Sequence, residues 1–175
     1  MKKQIADRAR RIRLAIFDVD GILTDGSLYL SSSGEAFKSF NILDGLGLKM
    51  LGDSGVALAM ITGRKSAAAV RRAKETGITH VFQGVEDKLA TYARLLRKLK
   101  LSEEETAFMG DDLPDLPVLR RCGLALSVPG AVDLVRKQAH YVTVRRGGEG
   151  AVREACELIM RAQGTWDAQL GSYLR

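Results

Sequence analysis

The chain has 175 residues, of which 46% are hydrophobic and 27% charged, with two cysteines and a formal net charge of +6. That length gives one domain with its own core, and no apolar stretch approaches the roughly 20 residues of a membrane-spanning helix. Residues 1–13 hold six bases against one acid while the rest of the chain carries 21 bases and 20 acids, so a solvated basic N-terminal segment is expected and a nucleic-acid-binding face on the body is not.

Residues 1–13 also lack the apolar run and small-residue cleavage site of a secretory leader. LAIF at Leu14–Phe17 is a short apolar run that ends in Asp18 and Asp20, as a buried parallel strand does when its carboxyl end opens on a polar site. Two β-compatible segments, Ser27–Leu30 and Ala36–Ile42, flank a Ser-Ser-Ser-Gly turn, which predicts a hairpin. Asp44–Ser54 has helical spacing and stops at Gly55, a common helix terminator. Val56–Thr62 is a second apolar strand ending in polar residues, and Ser66–Thr76 a helix closed by Gly77.

A brief strand at His80–Phe82 precedes a helix over Glu86–Lys100, whose apolar residues fall on one face. Ser102 and Glu105 form a capping box ahead of the strand TAFMG, which delivers GDDLPD. Beyond it the pattern predicts a helix at Leu116–Arg121, a strand in LALSV, a helix at Ala131–Ala139 and a strand at Tyr141–Val144. A Gly-rich turn at Gly147–Gly150 leads to a last helix with inner face Val152, Ala155, Ile159 and Ala162, and residues 164–175 read as a tail that is mobile or docks elsewhere. Alternating strands and helices predict an α/β fold with a doubly wound, mostly parallel sheet, whose ligands sit beyond the strand carboxyl ends. Cys122 and Cys156 lie among apolar neighbours without a CxxC pattern. Buried reduced thiols and a cytoplasmic location are expected.

Four polar clusters fall at strand ends or helix starts: Asp18 with Asp20, Thr62 with Gly63 and Arg64, Lys88, and Asp111 with Asp112 and Asp115. Carboxylates gathered that closely raise one another's pKa unless a cation neutralises them. Oxygen ligands without paired histidines favour Mg2+, which keeps waters and coordinates phosphate. Beside a phosphate, one aspartate can attack phosphorus while a second protonates the departing oxygen, Thr62 can donate to a phosphoryl oxygen and Lys88 can offset charge. Asp115 equally suits a helix cap, and Lys49 and Arg72 equally suit solvated helix positions. His80 and His140 fall outside the acidic cluster.

The ordered set DVDGILTD, ITGR, Lys88 and GDDLPD resembles the haloacid dehalogenase superfamily of phosphatases across nearly the whole chain. The resemblance implies that Asp18 is nucleophile and metal ligand, that Asp20 is acid/base and binds metal through its backbone carbonyl, and that Asp111 completes the metal site. It implies that Thr62 and Lys88 hold phosphate, with Asp112 and Asp115 orienting ligands or the metal's waters. Only 43 residues separate Asp18 from Thr62 and 25 separate Thr62 from Lys88, leaving no room for a cap domain. A wall from a neighbouring subunit, and hence an oligomer, is expected.

FNILDGLGLKML, GITHVFQGVEDK and RGGEGAVREACELIM extend the likeness to the cap-less phosphatases of 3-deoxy-D-manno-octulosonate 8-phosphate, which serve lipopolysaccharide synthesis. That similarity implies a homotetramer with the hairpin Ser27–Asn41 near a neighbour's site, and a substrate site lined by Asn41, Asp44, Gly45, Lys49, Arg64 and Arg72. Arg64 and Arg72 suit the carboxylate of a sugar acid phosphate. Lys49 replaces a frequent arginine and Glu149 a frequent basic residue. A nine-carbon ulosonate phosphate is the alternative substrate. A phosphoreceiver module is the alternative class, although its acid pair comes first in the chain and here comes last.

Overall fold

The computed structural model describes residues 3–174; residues 1, 2 and 175, which include Lys2 of the basic segment and the end of the expected tail, lie outside the described residues, as do the side chains of residues 35 and 36. Strand β1 (Leu14–Phe17) lies at the centre of a six-stranded parallel sheet, between β4 (Ala57–Ile61) and β6 (Thr106–Met109). Its residues pair in register with both neighbours, Phe17 opposite Met60 and Met109. All four are buried, which explains the unbroken apolar run. Burial of Leu14, Ile16 and Phe17 contributes roughly 1.5–3 kcal/mol each.

The strand order is β5-β4-β1-β6-β7-β8, with β5 at His80–Phe82, β7 at Leu124–Ser127 and β8 at Tyr141–Val142. From β1 the chain moves outward through β4 to β5, then crosses back to β6 on the other side of β1. This reversal opens a crevice at the carboxyl ends of β1 and β6. The crossovers run through α2 (Ile42–Asp53), α3 (Ala67–Glu75), α4 (Lys88–Leu99), the short α5 (Leu116–Leu119) and α6 (Asp133–Gln138). The expected α/β doubly wound architecture is present.

Side-chain caps set the helix starts. Asn41 accepts from Leu43 N, Ser66 from Ala69 N and Asp87 from Ala90 N, the acceptors that orphan helix amides need. The hairpin is shorter than its sequence indicates: β2 (Tyr29–Ser31) pairs with β3 (Gly34–Phe37), and Ile42 opens α2 instead of closing a strand. The Asn41 cap outweighs the β-compatible composition of residues 38–42.

The N-terminal segment departs from expectation, and the C-terminal tail takes the docked of its two expected forms. Residues 3–9 form α1, whose Ala6 and Ala9 are buried, and Arg8 donates to Gly123 O at 2.7 Å. The segment is therefore packed and not merely solvated. After α7 (Ala151–Gln163), residues 166–171 form α8, and buried Trp166 lies beneath the guanidinium of Arg161 with 4.4 Å to the ring centroid. An apolar ring and a cation above it dock this tail.

Helices α2 and α7 meet at Gly47, where a Cβ would come within 2.9 Å of Arg153 Cα. One turn earlier, Asp44 is buried and accepts from Gly150 N at 3.3 Å and Arg153 N at 2.8 Å, capping α7 from another helix. Burial raises its pKa, opposed by these amide bonds. Asp44→Leu should destabilise the protein by about 2–3 kcal/mol, because buried amides lose their acceptor, a loss read as a lower urea midpoint at unchanged m-value.

Candidate active site

The segment after β1 turns back on itself: Ile22, Leu23 and Thr24 donate their amides to Val19 O. Thr24 Oγ1 donates to the same carbonyl at 3.3 Å and accepts from Gly21 N and Gly26 N. Gly148 N, from the turn before α7, donates to Ile22 O at 3.0 Å and braces the loop from outside. Gly21 has φ +86°, and a Cβ there would fall 2.1 Å from Asp111 Oδ2. Only glycine allows the β1 and β6 loops to approach this closely.

These loops bring Asp18, Asp20, Thr62, Arg64, Lys88 and Asp111 to one cleft of about 390 Å3, together with Asp112 and Asp115. Asp18 Oδ1 accepts from Val19 N at 2.7 Å, and Asp18 Oδ2 lies 2.9 Å from Lys88 Nζ. The same ammonium lies 2.7 Å from Asp115 Oδ1, and Asp115 Oδ2 accepts from Asp111 N and Asp112 N. Lys88 is thus a buried ammonium shared by two buried carboxylates. Asp115 does not cap the helix that follows it, as its sequence position suggested; its side chain closes a capping box with Asp112 on the preceding turn and holds Lys88. Thr62 follows β4, buried, with its backbone held between Phe82 O and Val85 N.

One ammonium does not neutralise three acids. Carboxylate oxygens of Asp18, Asp111 and Asp115 lie within 4.8 Å of one another, and Asp111 Oδ1 is buried with no hydrogen-bond partner among the described residues. Burial, then the charge of Asp115, pushes Asp18 up to about 6, and burial, then the charge of Asp18, pushes Asp111 up to about 7. Burial alone would lower the pKa of Lys88, but the charges of Asp18 and Asp115 outweigh it and raise the value. An all-oxygen cluster with an orphaned carboxylate oxygen fits a hard divalent cation. Asp115 is occupied by Lys88 and two amides, which leaves Asp18 and Asp111 as the side chains suited to the ion.

The remaining expected site residues divide. Asp20 lies in the cleft, its Oδ2 3.9 Å from Arg64 Nε. Asn41, Gly45 and Arg72 form a separate group, in which Arg72 Nη2 donates to Asn41 O at 3.0 Å and lies across Gly45. Asp44 is turned away into the α2–α7 contact. Lys49 is exposed beside Asp53, Gly55 and Gly77, where the chain enters β4 and β5, at the opposite end of the sheet from the acids. His140 Nδ1 accepts from Ala125 N, a structural bond to β7, and neither histidine lines the cleft. Burial raises the pKa of both cysteine thiols, that of Cys122 to about 12. Sequence reasoning missed Lys38, which follows β3 and pairs with Asp20 Oδ1. No spacing in FKSF singles it out; only the hairpin's return brings it near.

An order of β1, β4 and β6 that presents a DxD, a threonine and an acid pair around a buried lysine defines a phosphoryl-transfer site. Residues 46–123 match the family model of the haloacid dehalogenase-like hydrolases, and the chain belongs to that family. It is 45% identical to the 3-deoxy-D-manno-octulosonate 8-phosphate phosphatase KdsC of Yersinia pestis, over 95% of this chain and 89% of that protein. Among solved structures, a probable YrbI family phosphatase of Pseudomonas syringae pv. phaseolica is 53% identical, with TM-score 0.97 over 99% of each chain. The Moraxella catarrhalis 3-deoxy-D-manno-octulosonate 8-phosphate phosphatase, solved with magnesium, phosphate and KDO, is 46% identical, with TM-score 0.96 over 99% of each.

Because Asp18 and Asp111 have raised pKa values in the folded, metal-free chain, that state binds more protons than the unfolded chain between their ordinary value of 3.8 and about 7. Stability of the metal-free protein should therefore fall as pH rises through this window. The melting temperature in chelator should drop by a few degrees between pH 5.5 and 8, and added Mg2+ should restore it at pH 8 but hardly at pH 5.5, as read by calorimetry.

Proposed function

We propose that this chain is a Mg2+-dependent phosphatase that hydrolyses 3-deoxy-D-manno-octulosonate 8-phosphate to the free sugar acid and phosphate, a step in lipopolysaccharide synthesis. The observation that carries the proposal is the shared ammonium of Lys88 between Asp18 and Asp115, beside Asp111, whose Oδ1 is buried with no hydrogen-bond partner among the described residues. The named relatives supply the substrate.

Asp18 is buried except where it meets the cleft, and its backbone bond to Val19 N fixes one oxygen. A carboxylate oxygen of Asp18 attacks phosphorus, the bond from phosphorus to the sugar oxygen breaks, and Asp20 gives that oxygen a proton. Asp20 then takes a proton from water, whose oxygen attacks the acyl phosphate and releases Asp18. Thr62 and Lys88 hold phosphoryl oxygens, and Lys88 offsets the charge that Asp18 carries to the phosphate. Mg2+ held by Asp18, Asp111 and the Asp20 carbonyl would supply the remaining positive charge at the phosphoryl group. Asp112 and Asp115 keep this arrangement in place, since the Asp115 carboxylate ties the Asp111 and Asp112 amides to Lys88.

Arg64, half exposed in the cleft, suits the substrate carboxylate, whereas Arg72 and Asn41, bonded to each other outside the cleft lining, would bear on the sugar only where it extends beyond the cleft. Between β1 and β4 the described chain contains only the hairpin and α2, consistent with one cap-less domain. The exposed Leu28, Leu30 and Phe37, with Tyr29 stacked on Phe37 at 4.3 Å between centroids, support a homotetramer in which the hairpin walls a neighbour's site. A reducing cytoplasmic setting agrees with the two free thiols.

Phosphate release from 3-deoxy-D-manno-octulosonate 8-phosphate should require Mg2+ and exceed that from a nine-carbon ulosonate 9-phosphate in kcat/KM. Asp18→Asn should lower kcat at least about 10^3-fold with an unchanged circular dichroism spectrum. Release from neither ulosonate would refute the substrate. Replacing Leu30 and Phe37 together by Asp should reduce the assembly mass in sedimentation.

A further inference from the structure

Lys38 stands one residue beyond β3, at the foot of an exposed hairpin, yet its side chain is only 2% exposed. A buried ammonium is costly unless a carboxylate answers it. Its ammonium pairs with Asp20 Oδ1, whereas Asp20 Oδ2 lies 3.9 Å from Arg64 Nε, a spacing of ion attraction and not of hydrogen bonding. The two oxygens of Asp20 are therefore unequal. One is fixed from the hairpin side, and the other faces the cleft near a side chain that is 47% exposed.

We propose that Lys38 is a positioning residue for the reaction: by fixing Oδ1 it turns Oδ2 of Asp20 toward the departing sugar oxygen, so that the hairpin sets the rotamer of the general acid. The proposal rests on the phosphatase reading above. In the step it governs, Asp20 enters as the neutral acid with its proton on Oδ2 and Oδ1 accepting from Lys38; the bond from phosphorus to the sugar oxygen breaks as Oδ2 passes that proton to the oxygen, which leaves Asp20 as the carboxylate paired with Lys38, and the Lys38 ammonium keeps its own protons. The backbone fixes Asp18 through Val19 N; Asp20 is held by a side chain that arrives from 18 positions away in sequence.

A structural contribution and this role differ in their dependence on the leaving group. A sugar alkoxide needs a proton to depart, and p-nitrophenolate does not. The quantity to compare is kcat/KM, which reports steps up to departure of the alcohol. Lys38→Met should lower kcat/KM for the sugar 8-phosphate about 10–100-fold, a part of the usual general-acid contribution, and change that for p-nitrophenyl phosphate less than about 3-fold. In an Asp20→Asn background, Lys38→Met should cost less than about 3-fold further on the sugar phosphate, as expected of residues acting in one unit. Equal losses on both substrates, full additivity with Asp20→Asn, or no loss at all would each overturn the proposal. Should Lys38→Met fail to fold by circular dichroism, Lys38→Gln is read against the same outcomes. Wild-type protein inactive on both substrates would instead refute the phosphatase reading itself.

Discussion

The ammonium of Lys88, held between Asp18 and Asp115 out of bulk water, is the contact on which the rest of the site depends. Two ionised carboxylates at this separation repel strongly in a medium that screens poorly, and a third, Asp111, stands within reach of both. Lys88 lowers that cost but leaves net negative charge, and burial, reinforced by that charge, raises the pKa of Asp18 and Asp111. The protein is thus built with a deficit of positive charge at the position where a divalent cation and a phosphoryl group would meet. Under the proposed function, cation binding and the nucleophilic role of Asp18 would be two aspects of one electrostatic arrangement.

Maintaining that arrangement falls to the backbone more than to the acids. Three amides converge on Val19 O, Gly21 clears space for Asp111, and Gly148 N holds the loop from the α7 side. Asp44 belongs to this support at one remove. It caps α7 at Gly150 and Arg153, so α2, α7 and the glycine turn against the catalytic loop form one packed unit. Its signature in sequence is that of a site residue; its partners are main-chain amides more than 100 positions away.

The hairpin turns apolar side chains to solvent, yet its base reaches the cleft residue Asp20 through Lys38. In the proposed homotetramer the hairpin would enclose a neighbour's cleft while its Lys38 pairs with Asp20 in its own subunit. Enclosure and orientation of the acid would then be joined through a few residues of β3.

The sequence by itself determined the order of β1 to β8 and of α2 to α7, the buried character of β1, and the placing of Asp18, Thr62 and Asp111 at strand ends and of Lys88 at a helix start. These are legible because apolar runs, caps and glycine stops act over a few residues, and because every parallel strand presents its carboxyl end to the same side. The tertiary structure decided what depends on distance across the chain: that Asp44 points into a helix contact, that Lys49 lies at the wrong end of α2, that α1 and α8 are docked, and that Lys38 meets Asp20. A helix's sequence shows which residues share a face but not what that face meets, and a charged residue has the same local pattern whether it ends against water, an amide or another charge.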